Sequence, residues 1–88
     1  MKYQVLWTEA AERELAEIWL AAFDREAVTQ AADGLEHELA VAPGDLGESR
    51  PGQRGIAHWL PLGICFRVQE DDLLVRVLAV WECRRTQS

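Results

Sequence analysis

The chain opens with alternating apolar and polar positions and then changes period. From Lys2 to Thr8, Tyr3, Val5 and Trp7 fall on one side and Lys2, Gln4 and Leu6 on the other, which predicts a first strand. Thr8 occupies an N-cap position, and Glu9 and Glu12 place negative charge on the first turn of the next element. Ala11, Leu15, Ile18 and Ala22 recur at helical spacing, so Glu9 to Ala22 is expected to form an amphipathic helix. Asp24 is the next N-cap. The short Phe23-Asp24 joint predicts a helical hairpin whose second member buries Val28, Ala32, Leu35 and Leu39 and stops at Pro43-Gly44.

Residues 43 to 53 are rich in Gly, Pro, Ser, Asp and Glu and read as a loop, with the segment Gly47 to Arg54 neither helix nor strand. Three strand-like runs come next: Arg54 to Leu60, Ile64 to Gln69 and Leu73 to Glu82, separated by Pro61-Leu62-Gly63 and Glu70-Asp71-Asp72. In the last hairpin, Ile64, Phe66, Val68, Leu73, Val75, Val77, Ala79 and Trp81 make one apolar face. Directly opposed residues share a face, so the tightest turn sets Glu70 against Leu73 and Arg67 against Arg76. Opposed like charges are unfavourable by a few tenths to about 1 kcal/mol, so either an acid of this chain, a phosphate or a partner's carboxylate neutralises this pair, or the two stems lie flat with their heads in solvent. The order β-α-α-β-β-β gives the fold class: a two-layer α+β sandwich, its mainly antiparallel sheet packed against a two-helix hairpin.

With 88 residues the chain predicts a single domain, residues 1–88, of ordinary apolar content. No apolar run approaches the roughly 20 residues needed to cross a bilayer, so no membrane association is expected. Glu9 and Glu12 break any signal-peptide core, so a cytoplasmic location is expected. The net charge of −6 is unevenly spread. Through Glu48 there are eleven acids against three bases, net −8; from Ser49 onward there are six arginines against four acids, net +2. Only Lys2 is lysine. Arginine suits bidentate contact with phosphate or carboxylate, so the second half is the candidate working side.

No Gly-rich phosphate loop, nucleophile elbow or zinc motif is present, and no metal or cofactor is expected. Cys65 and Cys83 lack metal-ligand spacing and read as reduced thiols. His58, alternating with Ile56 and Leu60, is a core-edge residue or the proton-transfer candidate. Trp7 and Trp81 fall on apolar faces and are expected in the core, whereas Trp59 is the exposed aromatic able to touch a target.

The order of Trp7-Thr8-Glu9-Ala10-Ala11-Glu12, Leu15-Ala16-Glu17-Ile18, Gly63-Ile64-Cys65-Phe66-Arg67-Val68 and Val77-Leu78-Ala79-Val80 running into Arg84-Arg85 resembles the RelE/ParE toxin superfamily over nearly the whole chain. The resemblance implies a toxin of a type II toxin–antitoxin pair that restrains growth, partnered by a cognate antitoxin, as a homodimer or a toxin–antitoxin hetero-oligomer. RelE-like members cleave mRNA in the ribosome without metal, by attack of the 2′-hydroxyl on the adjacent phosphate; ParE-like members inhibit DNA gyrase. For a nuclease, His58, Arg54 and Arg67 are the implied catalytic set, with Arg50, Arg76, Arg84, Arg85 and Trp59 as target contacts. The sequence departs from the nuclease pattern. Gly63 stands where an arginine precedes the third strand, no tyrosine or histidine closes the chain, and Arg54 alone matches a lysine-rich strand. The alternative is a binding module that engages its antitoxin without cleaving RNA.

Overall fold

The computed structural model describes residues 2–41, the backbone of 48–50, and 54–83. Its elements are β1 (Gln4–Trp7), α1 (Glu9–Ala21), α2 (Arg25–Val41), β2 (Glu48–Arg50), β3 (Arg54–Trp59), β4 (Leu62–Gln69), a 3-10 turn at Glu70–Asp72, and β5 (Leu74–Glu82). The sheet order is β1-β5-β4-β3-β2, with β1 parallel to β5 and the other pairs antiparallel. The α+β class and the mainly antiparallel sheet agree with the sequence pattern. No described helix is long and apolar enough to cross a membrane.

Local chemistry places the joints. Thr8 does three things at once. Its backbone N–H donates to the Val77 carbonyl at 3.1 Å, its hydroxyl donates to the same oxygen at 2.9 Å, and that hydroxyl accepts from the Ala11 N–H at 3.2 Å. The N-cap of α1 is thereby fastened to the central sheet. Asp24 caps α2 through Ala27 N–H at 3.1 Å. Arg25 closes the hairpin: it stacks 4.7 Å over the Trp19 ring and donates to the Trp19 and Leu20 carbonyls, satisfying acceptors that α1 leaves open at its C-terminus.

Ala11 of α1 and Val28, Ala31, Leu35 and Leu39 of α2 meet Ala57, Leu62, Ile64, Phe66, Val75, Val77 and Val80 of the sheet in one buried core. Both helices therefore cover the same side, and no described element covers the other side of the sheet. Gly55 lies under the ring of Phe66, which a Cβ at that position would overlap.

Four departures from the sequence pattern matter. Glu48–Arg50, expected in a loop, is a strand on the sheet edge; three polar residues paired through their backbone leave no apolar alternation to read. The β3–β4 connection is the two-residue turn Leu60-Pro61, not Pro61-Leu62-Gly63, and β4 begins at Leu62. The β4–β5 register shifts: Phe66 opposes Val77 but Cys65 opposes Ala79, so Leu78 is an extra residue in β5. That bulge inverts the alternation, burying Val80 and turning Ala79 and Trp81 to the open side, against the expectation that both lie on the apolar face. The Val80 N–H donates to the Glu14 carboxylate on α1 at 2.9 Å, so α1 holds the bulge.

Thr8→Ala is expected to lower unfolding free energy by about 1–2 kcal/mol, in the upper half of the range for helix caps because the sheet bond is lost with the cap. A shift of the urea midpoint at unchanged slope measures it.

Candidate functional site

The open face presents a row of guanidinium-bearing positions. Arg54 of β3 opposes Arg67 of β4, and Arg67 opposes Arg76 of β5. The row continues through Leu6 of β1, opposite Arg76, and at the far edge the register sets Arg50 of β2 opposite Arg54. Neighbouring strands lie about 4.8 Å apart, so Arg54, Arg67 and Arg76 span about 10 Å of a line crossing the strands. All three side chains are exposed.

No ion pair among the described residues neutralises this row. Among the described residues one salt bridge occurs, Arg13 to Glu9 on α1, far from the open face. Arg76 is steadied by a neutral group instead, its Nε donating to Gln69 Oε1 at 3.2 Å. Glu70, Asp71 and Asp72 line a 210 Å³ cleft with Arg67 and Gln69, without forming an ion pair with Arg67. Among strand residues with described side chains, this face carries no carboxylate. By register, Glu48 stands opposite Ile56, one pair in from Arg54.

His58 is exposed on the same face but not in the row. It lies four residues along β3 from Arg54, about 13 Å at strand rise. Its neighbours are Gly63, directly opposed, and Trp81, which opposes Gly63 from the other side. The His58 and Trp81 rings meet edge to face, 6.2 Å between centroids at 77°. Trp81 lies over Gly63, where a Cβ would meet the indole Nε1 at 2.5 Å and the Cys83 thiol at 3.0 Å. Sequence periodicity gives no sign of this cluster, because the bulge that exposes Trp81 leaves no mark in the alternation.

The structure thus brings Arg54, Arg67 and Arg76 side by side and leaves His58 apart. Trp59 sits on the opposite face: although 44% exposed, its ring covers Gly34 of α2, where a Cβ would lie 2.6 Å from it. It is part of the helix–sheet contact rather than of the arginine face. Arg84 and Arg85 lie outside the described residues, as does the side chain of Arg50. Cys65 and Cys83 are free. No group of three His, Cys, Asp or Glu suited to a metal occurs among the described residues.

On the helical side, α1 and α2 enclose a groove of about 590 Å³. Leu15, Ala16, Leu20, Val28 and Ala32 give it apolar walls, and Glu12, Asp33 and Glu36 an acidic rim. Glu36 also accepts from Trp7 Nε1 at 2.8 Å, tying β1 to α2.

A family model described as the ParE toxin of type II toxin–antitoxin systems, parDE, matches residues 5–87. Among solved structures, the chain is similar to the toxin–antitoxin complex RelBE2 from Mycobacterium tuberculosis, with TM-score 0.76 and 16% identity over 93% of this chain and 92% of that one. It is similar to the chromosomal ParDE system from P. aeruginosa, with TM-score 0.67 and 18% identity over 93% of this chain and 97% of that one. It is also similar to part of TrmO from P. aeruginosa, with TM-score 0.62 and 26% identity over 92% of this chain but 33% of that one. No curated protein sequence matches it.

Proposed function

The chain belongs to the ParE toxin family of type II toxin–antitoxin systems, and from that premise we propose that it is a cytoplasmic growth-inhibiting toxin that binds its target through the arginine row and is held inactive by a cognate antitoxin. The observation that carries this reading is the in-register alignment of Arg54, Arg67 and Arg76 with no ion pair among the described residues. Three opposed cations keep terminal nitrogens for an external anion, and guanidinium forks bind carboxylate or phosphate in two-point fashion.

Inhibition by binding, with DNA gyrase as the target, fits this geometry better than RNA cleavage does. Metal-free attack of a 2′-hydroxyl needs a proton acceptor within hydrogen-bond reach of that hydroxyl while cations hold the phosphate. His58 lies four residues along β3 from Arg54, a backbone separation of about 13 Å, and its ring meets Trp81 rather than the row. Ribosome-dependent cleavage of mRNA is the second reading, with Arg54 and Arg67 on the phosphate and His58 as the proton-transfer group.

The antitoxin belongs on the other side of the molecule. An apolar groove with an acidic rim fits an amphipathic helix whose apolar stripe is flanked by Lys or Arg. Glu14 is not available for such pairing, since it is held by Val80 N–H; Glu12 and Asp33 are.

Induced expression of the wild-type chain is expected to arrest growth, with DNA supercoiling failing before translation. Combined substitution of Arg54, Arg67 and Arg76 by alanine is expected to abolish the arrest while the protein stays folded by circular dichroism. Arrest that persists in the triple variant contradicts the role of the row. Cleaved mRNA in arrested cells, lost with His58→Ala, favours the nuclease reading. Glu12→Lys combined with Asp33→Lys is expected to weaken antitoxin binding at least tenfold by calorimetry without reducing toxicity; unchanged affinity contradicts docking in the groove.

A further inference from the structure

We infer that the end of β5 has two registers and that Glu14 is the latch between them. The bulge at Leu78 holds Trp81 on the open face. Releasing the latch slides residues 79–82 by one position and places the Trp81 indole in a hollow on the helical side. The arginine row takes no part, because the Arg67–Arg76 pair lies before the shift. The inference therefore stands apart from the functional reading above.

Three observations carry it. First, the residues past the bulge fit both registers. Phe66 opposes Val77, and beyond the extra residue Cys65 opposes Ala79, Ile64 opposes Val80, Gly63 opposes Trp81 and Leu62 opposes Glu82. With Leu78 drawn back into the ladder, Ala79 opposes Ile64, Val80 opposes Gly63 and Trp81 opposes Leu62. A one-residue slip moves every side chain to the other face. Leu78, Ala79, Val80 and Trp81 are all apolar, so neither register buries a charge. The straight register also continues the inward alternation of Val75 and Val77 through Ala79 and Trp81.

Second, room for the indole exists on the helical side. Leu62 is buried there, and its partner Glu82 is exposed beside it. Glu82 lines a hollow of about 600 Å³ with Phe23, Ala27, Val28, Leu60 and Pro61. In the straight register Trp81 takes the place of Glu82, so an aromatic ring replaces a carboxylate against apolar walls. Phe23 and Leu60, both exposed in the bulged register, gain cover.

Third, one bond at the bulge opposes the slip. The Val80 N–H donates to the Glu14 carboxylate at 2.9 Å. In the straight register Val80 turns to the open face and this contact is lost. Burial adds to the latch, since Val80 fills a place against Ile64 that the smaller Ala79 leaves partly empty.

The slip remakes the open face beside the row. His58 loses its edge-to-face contact with Trp81, and Gly63 loses its cover. Glu82 moves to the place of Cys83, whose N–H donates to the Pro61 carbonyl in the bulged register. A ligand that uses the His58–Trp81 pair binds the bulged register alone, and its apparent affinity scales with the population of that register.

The test is fluorine NMR of the full chain carrying fluorotryptophan, with the Trp81 line assigned by its loss in Trp81→Phe. Wild type is expected to show one Trp81 line, its indole in nuclear Overhauser contact with the His58 ring. Loss of a hydrogen bond to a carboxylate shifts the ratio of the registers by about tenfold or more. Glu14→Ala is therefore expected to raise a second Trp81 line whose indole contacts the Ala27 methyl group. Glu14→Gln keeps an acceptor oxygen in place and is expected to return the single line. Val80→Ala leaves Glu14 intact but sets alanine against Ile64 in both registers, and is expected to raise the same second line. Deleting Leu78 from either alanine variant removes the extra residue while keeping the bulged pairing of residues 79–82, and is expected to abolish that line.

A second line that contacts Ala27 and disappears on deletion of Leu78, in either alanine variant, bears the inference out. A single line in contact with His58 in both variants overturns it. So does a second line that survives the deletion or lacks contact with Ala27. Should Glu14→Ala fail to fold, Val80→Ala decides by the same outcomes.

Discussion

The open face is organised by the register of three strands, and that register is set by the other side of the sheet. Ile64, Phe66, Val75 and Val77 are buried against the helices. Side chains alternate along a strand, so slipping β4 or β5 by one residue would expose them at about 1.5–3 kcal/mol each. Keeping them buried sets Arg67 against Arg76 and, through the Leu60-Pro61 turn, Arg54 against Arg67. The repulsion this creates is at most about 1 kcal/mol per opposed pair. Burial wins, and the sheet holds a row of cations that its own electrostatics disfavours.

The helical layer completes the polarity of the molecule. Because α1 and α2 pack on one side, their acids lie on the side of the sheet opposite the arginine row. Thr8 couples the layers at the start of α1, and Glu14 couples them again at the bulge of β5. The second coupling has a consequence on the far side of the sheet: by stabilising the extra residue, it places Trp81 over Gly63 and beside His58. An acidic side chain that reads as part of a solvent-facing helix is thus a structural clamp.

The element order apart from the edge strand Glu48–Arg50, both helix caps and the Arg67–Arg76 opposition are legible in the sequence because each depends on local chemistry: a hydroxyl or carboxylate before a helix, alternation, and a tight turn. Arg54 joining them is not, since it depends on whether the β3–β4 turn holds two residues or three, and Pro61-Leu62-Gly63 reads equally as a loop. The bulge escapes because Leu78, Ala79, Val80 and Trp81 are all apolar and keep either phase. The true surface of Trp59 escapes for a related reason. Its partner is Gly34 on α2, and the absence of a side chain there carries no periodic signal. The arginine half is visible as composition; its arrangement as a line is visible only in the register.

Whether these guanidiniums face one another without a carboxylate partner is read most directly from the stability of Arg67→Gln against wild type. Urea unfolding is measured at low salt and again at about 1 M salt, where screening over about 3 Å removes the repulsion. An unpaired row makes the variant more stable at low salt by a few tenths to about 1 kcal/mol, and the difference vanishes at high salt. A variant less stable than wild type at low salt would mean that Arg67 is paired within the fold, and the row would not be the unneutralised line described above.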